Sequence, residues 1–102
     1  MNTLEVSEAE AAAVQKTPHR VTLESLYALR KSVQIMHPVD APHVTICAMT
    51  LKNGFVLVGH SAPADPANFD PALGVKIAEE NCISQMWPLE GYRLRCALSE
   101  TE

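Results

Sequence analysis

No run of apolar residues in this chain approaches the roughly 20 needed to span a bilayer as a helix. The first ten residues, MNTLEVSEAE, are acidic and lack a long apolar centre, so they do not read as a secretory signal. Cysteine is scarce and odd in number: Cys47, Cys82 and Cys96 are widely separated and make no disulfide framework. The expectation is three reduced thiols in a cytosolic protein. Neither sign of charge dominates. Eight Lys and Arg against twelve Asp and Glu leave a net charge of −4, which argues against a basic coat for nucleic acid. Arg93 and Arg95 are the nearest approach to a local basic patch. Also missing are a P-loop, a GxGxxG, a GxSxG and an HExxH, which disfavours most enzyme classes that announce themselves in sequence. At 102 residues the chain is one domain with a modest core.

What is present centres on VTICAMTLKNGFVLVGHSA, residues 44–62. Two β-branched-rich runs flank Asn53-Gly54, a strong hairpin signal, because both residues tolerate φ > 0 in a two-residue type I′ turn. That turn sets Lys52 opposite Phe55, Thr50 opposite Leu57, Met49 opposite Val58 and Cys47 opposite His60. Neither face of such a hairpin is cleanly polar. An isolated hairpin is marginal in water, so faces and an edge need cover.

Before the hairpin, residues 1–20 read as an N-terminal arm, a short helix or only partly ordered: Ser7 and Glu10 have capping-box spacing and Ala11, Ala12 and Ala13 favour helix, but large apolar residues are few. A helix is predicted over 21–36, capped by Thr22, with Leu23, Leu26, Leu29 and Val33 on one stripe and His37-Pro38 as its stop. After the hairpin, SAPADPANFDP is a loop that feeds a second helix, with Asp70 as N-cap and Pro71 at N1. This helix is predicted to run to Met86 or Trp87 and to end at Pro88. Gly74 inside it implies a close approach by the hairpin. Leu94, Cys96 and Leu98 alternate with Arg93, Arg95 and Ala97, the pattern of a short final strand, with a terminal helical turn as the alternative. Residues 99–102 read as a disordered tail. The fold class is α+β, with residues 21–98 as its single domain.

Three constellations bear on chemistry. Cys47 facing His60 has the composition of an activated thiol or two metal ligands, but a mid-strand thiol on an apolar face packs as a small hydrophobe. Zinc would need further ligands, and no CxxC or HxxxH spacing supplies them. Asp65, Asn68 and Asp70 offer oxygens within six residues without the EF-hand pattern; capping and Asx turns account for them, and no metal or cofactor is implied. The helix start they feed still exposes N–H groups suited to an anion, which makes this the best ligand-binding loop in the chain. Lys52, Arg93 and Arg95 form the third set, read singly as solvated charges.

Taken in order, TLKNGF, the Gly59-x-Ser61-Ala62-x-x-Asp65-Pro66-Ala67-Asn68-Phe69-Asp70 segment, GVKIA (74–78) and WPLEGYRLR (87–95) resemble the small tailed-phage protein family named for gene product 49 and gene 66 of two enterobacterial phages. The likeness spans about Arg20 to Leu98. Two departures stand out: Pro63-Ala64 stiffens the loop, and ENCISQ (80–85) lacks basic residues, which weakens a nucleic-acid role. The resemblance implies a compact α+β phage protein acting in the cytoplasm of the infected host and brings no catalytic set. The expectation is a non-enzymatic accessory protein that counters or redirects a host system by sequestering a small nucleotide-type signal. Direct inhibition of a host protein, a small hydrolase or thiol enzyme, and a nucleic-acid-associated factor are the alternatives. A homo-oligomer is expected, because two short helices cannot cover both hairpin faces. The expected ligand site comprises Ser61, Asp65, Asn68, Phe69, Asp70, Tyr92 and Arg93.

Overall fold

A computed structural model describes residues 3–101; Met1 and Asn2 of the expected arm and Glu102 of the expected tail lie outside the described residues. In chain order the elements are α1 (Thr3–Val14), α2 (Leu23–Ala28), β1 (Arg30–Met36), β2 (Thr45–Leu51), β3 (Val56–Ser61), a single 3₁₀ turn (Pro66–Asn68), α3 (Pro71–Ser84) and α4 (Met86–Ser99). The strands form one antiparallel sheet in the order β1-β2-β3. Helices and an antiparallel sheet together make this an α+β fold.

The helix expected over 21–36 is corrected to six residues followed by a strand. Its start is as read: Thr22 accepts from Ser25 N–H, and the Ser25 hydroxyl accepts from Thr22 N–H, a capping box. Leu23 and Leu26 are buried three residues apart. From Arg30 the rhythm changes to period two, with Val33 and Ile35 turned inward between Ser32, Gln34 and Met36. The three/four spacing through Leu29 and Val33 disguised that change. The β-branched pair Val33 and Ile35 stands beside Met49 and Cys47 of β2, and this strand is the edge cover that the hairpin required.

The hairpin lies where expected, but its register is shifted by one residue. Thr50 stands opposite Val56, Met49 opposite Leu57 and Cys47 opposite Gly59. Gly54 N–H donates to Leu51 O (2.9 Å) and Leu51 N–H to Phe55 O (2.8 Å), which closes a three-residue loop, Lys52-Asn53-Gly54. Only Gly54 has positive φ, +90°, whereas a type I′ turn would require it of Asn53 as well. Asn53 instead folds its side chain back, accepting from Phe55 N–H at 2.9 Å. A one-residue slip in register exchanges the faces of one strand relative to its partner. His60 therefore leaves the face that carries Cys47.

The expected final strand is also corrected, and Pro88 is the reason. Proline has no N–H for Ser84 O and crowds that carbonyl, so the break falls one turn upstream, at Gln85, rather than at Pro88 itself. Pro88 then sits in the first turn of α4, where its missing N–H costs nothing. Beyond it the half-buried Trp87, Gly91, Leu94 and Leu98 recur at four, three and four residues. The alternation at 94, 96 and 98 is a fragment of that stripe. This helix runs on through Ser99 of the expected tail.

The core lies between one sheet face and α3. Thr45, Cys47, Met49 and Leu51 of β2 and Leu57 of β3 point into it, against Ala78, Cys82 and Ile83 of α3, with Met86, Leu23 and Leu26 closing the ends. Gly59 is what lets α3 lie so close: an added Cβ would stand 2.5 Å from Ala78 O and 2.9 Å from Cys82 N. The helix α1 packs Leu4 against this core and is held through Glu8, whose carboxylate accepts from Arg20 and from Leu23 N–H.

Candidate functional site

The loop after β3 gets its shape from two carboxylates. Asp65 Oδ1 accepts from Ala67 N–H at 2.9 Å and nucleates the 3₁₀ turn. Asp70 Oδ1 accepts from Leu73 N–H at 3.0 Å and caps α3, with Pro71 behind it as expected. Between them Phe69 is carried inward, and the His37 ring meets it edge-on with centroids 6.0 Å apart. His37 is itself fixed by a 2.8 Å hydrogen bond between Nδ1 and Val44 O. Where Phe69 and the first turns of α3 meet the end of β3, they leave an open hollow of about 150 Å³. Ser61, Asn68, Phe69 and Asp70 line it together with His43, Leu73, Gly74 and Ile77.

Four of the seven expected site residues thus come together. Asp65 lies outside the lining, and its carboxylate is used within its own turn. Tyr92 and Arg93 lie elsewhere, on α4, and do not line this hollow within the single chain. Tyr92 is three-quarters exposed. Arg93 is held by Glu90 through two bonds, Nε to Oε2 at 3.0 Å and Nη2 to Oε1 at 2.8 Å. Those bonds and the Glu90 charge raise its already high pKa. It shares a hollow with Lys52, Asn53, Leu29 and Leu51, where Glu90 offsets the cations.

Sequence reasoning missed His43, Leu73 and Ile77. Leu73 and Ile77 are about half exposed on the helix flank and look like ordinary stripe residues. His43 sits in a proline-flanked connection with no pattern around it. Gly74 was legible: an added Cβ would meet Thr45 Oγ1 of β2 at 2.6 Å, the close approach by the hairpin that a helix-interior glycine implied. Thr45 Oγ1 is fully buried, with no hydrogen-bond partner among the described residues.

The electrostatics do not favour an anion here. Pro71 offers no N–H, Leu73 N–H is already taken by the cap, and the Asp70 carboxylate sits at the rim. A heterocycle suits the hollow better, with Phe69, Leu73 and Ile77 as apolar walls and the Ser61 hydroxyl and Asn68 amide for its polar edge.

The thiol constellation is dispersed. Cys47 is fully buried and His60 is exposed on the opposite sheet face. Burial pushes the Cys47 thiol up, and burial with the neighbouring Cys47 pushes Cys82 up to about 12. Both shifts run against a thiolate nucleophile. The Cys82 thiol points at Cys47 O (3.5 Å) and Leu57 O (3.9 Å) and serves as packing. Among the described residues no three His, Cys, Asp or Glu side chains are grouped to hold a metal. Nor, among them, is any helix long and apolar enough to cross a membrane.

The domain is therefore a three-stranded sheet backed by a helix, with a small hollow at that helix's start and two thiols, Cys47 and Cys82, buried in its core. A family model described as "Phage protein (N4 Gp49/phage Sf6 gene 66) family" matches residues 7–98, and the chain belongs to that family. The match begins within α1, well before Arg20, where the likeness of motifs sets in. No curated protein and no solved structure matches the chain.

Proposed function

We propose that this phage protein is an accessory factor that acts by binding: it takes up a small nucleotide-type signal in the cytoplasm of the infected host and withholds it. The observation that supports this reading is the hollow at the start of α3, where Ser61, Asn68 and Phe69 converge beside two apolar side chains. At about 150 Å³ it is smaller than the roughly 300–1,000 Å³ of ordinary ligand pockets, so it takes the base and leaves sugar and phosphate outside. The acidic rim at Asp70 turns the phosphates away from the loop. The buried thiols and the separation of Cys47 from His60 count against the thiol-enzyme alternative.

Calorimetric titration of the pure protein with cyclic nucleotides and ADP-ribose derivatives tests the proposal. Binding should weaken at least tenfold in Asn68→Ala, and heat denaturation should release the ligand chemically intact. An altered ligand would replace sequestration by catalysis. No binding to any of the set, with the protein folded by circular dichroism, would refute the proposal.

A further inference from the structure

The sheet has a second face, and among the described residues no helix packs across it. Opposite α3, the pairing brings nine side chains into a grid of three rows: Ser32, Thr50 and Val56; Gln34, Ala48 and Val58; Met36, Ile46 and His60. None of the nine is Asp, Glu, Lys or Arg, in a chain where one residue in five is charged. Val58 is 59% exposed and Val56 52%. A sheet face meant for water usually carries charged residues, whereas this one has none of the four charged types and sets five apolar side chains, Met36, Ile46, Ala48, Val56 and Val58, among four polar ones.

We infer that this face is the contact between two copies of the chain, packed sheet on sheet about a two-fold axis. The inference is independent of the ligand reading above. Charge selects the occupant. With no Asp, Glu, Lys or Arg in the grid, the face meets its own image without like-charge contacts between such side chains, even though each copy carries −4 overall. It offers nothing to the phosphates of a nucleic acid or an anionic membrane. Size agrees, because the side chain at the centre of the grid is the small Ala48, which suits the spacing of about 10 Å at which sheets stack. Three strands about 4.8 Å apart and six residues long make a plate of roughly 300 Å², or about 500 Å² of accessible surface per copy with side-chain relief. The pair then buries about 1,000 Å², the lower end of specific interfaces, which suits a dimer that dissociates in the micromolar range.

The two sheet edges are poorer candidates. On β3, Gln85 Nε2 donates to Val58 O (2.8 Å) and Asn81 Oδ1 accepts from His60 N–H (3.4 Å), so side chains of the helical layer already occupy that edge. The edge strand β1 begins with the exposed cations Arg30 and Lys31, residues that discourage strand addition.

Analytical ultracentrifugation of the full chain from 1 to 200 µM, with Val58→Lys beside it, decides the matter. The wild type should pass from monomer to dimer within that range. Val58→Lys should raise the dissociation constant about 100-fold or more, because each copy would bury an unpartnered ammonium. Val58 is exposed in the single chain, so the variant should keep the wild-type circular dichroism spectrum. A wild type that stays monomeric throughout would overturn the inference, and so would a folded Val58→Lys that dimerises as well as the wild type.

Discussion

Gly59→Ala should be the most damaging single methyl group that can be added to this protein. The new Cβ would lie 2.5 Å from Ala78 O, 2.8 Å from Cys82 Sγ and 2.9 Å from Cys82 N. Two of those three atoms are backbone of α3, which cannot rotate away as a side chain does. Either the helix backs off the sheet, opening space around Cys47, Cys82 and Leu57, or β3 bends. Overpacking of a core costs about 1–3 kcal/mol, and contact with fixed backbone puts this case at about 3. For a domain of this size that lowers Tm by roughly 12–24 °C. Gly54 and Gly91 are internal controls. At Gly54 nothing lies within 4 Å, so Ala there meets only the strain of φ +90°, about 1 kcal/mol. At Gly91, inside α4, there is again nothing within 4 Å, and Ala should stabilise by up to about 1 kcal/mol. Urea unfolding followed by far-ultraviolet circular dichroism, at one fixed protein concentration, reads all three. If Gly59→Ala falls within about 0.5 kcal/mol of the wild type, α3 does not pack on β3 as described, and the helix–sheet layer is wrong.

Asp70→Ala removes the cap of α3 and should cost about 1 kcal/mol in the same unfolding assay, with Asp70→Asn recovering most of it. Stability should also fall at alkaline pH, because burial and the neighbouring Cys47 raise the Cys82 thiol to about 12 from an unfolded value near 9. The folded state keeps a proton that the unfolded chain gives up. The contribution is thus complete below pH 9 and is lost as pH climbs from 9 towards 12. Urea midpoints measured at pH 7, 9 and 10.5 should decline over the upper interval, and Cys82→Ala should flatten that decline.

Much of the fold was legible because local chemistry decided it. Thr22 and Asp70 cap the helices they were expected to cap, Asn53-Gly54 marks the hairpin loop, and Gly74 approaches the hairpin. These features depend on residues within a turn of one another, or on a requirement that only glycine meets. The errors arose where two periods fitted one short run. Leu29 and Val33 continue a helical stripe on paper, yet Val33 with Ile35 is also a strand face, and pairing with Cys47 and Met49 decides for the strand. At the other end, Leu94, Cys96 and Leu98 satisfy period two over five residues. The stripe from Trp87 to Leu98 shows period 3.6 only when the residues on both sides of Pro88 are read as one helix.

Which candidate residues share the hollow was half legible for the same reason, because that grouping follows the backbone. Ser61, Asn68, Phe69 and Asp70 belong to one capped loop, so local sequence was enough to gather them. Tyr92 and Arg93 were expected to reach the loop near a contact between subunits; within the single chain they lie on α4, away from the hollow. Likewise Cys47 met His60 only through the two-residue turn. Adding Lys52 to the loop moves the register by one, sets Gly59 opposite Cys47 and leaves His60 in the outer grid. A single residue in the turn therefore changes what the protein offers chemically: it puts Gly59 where α3 needs room and takes from the thiol the base that would have activated it.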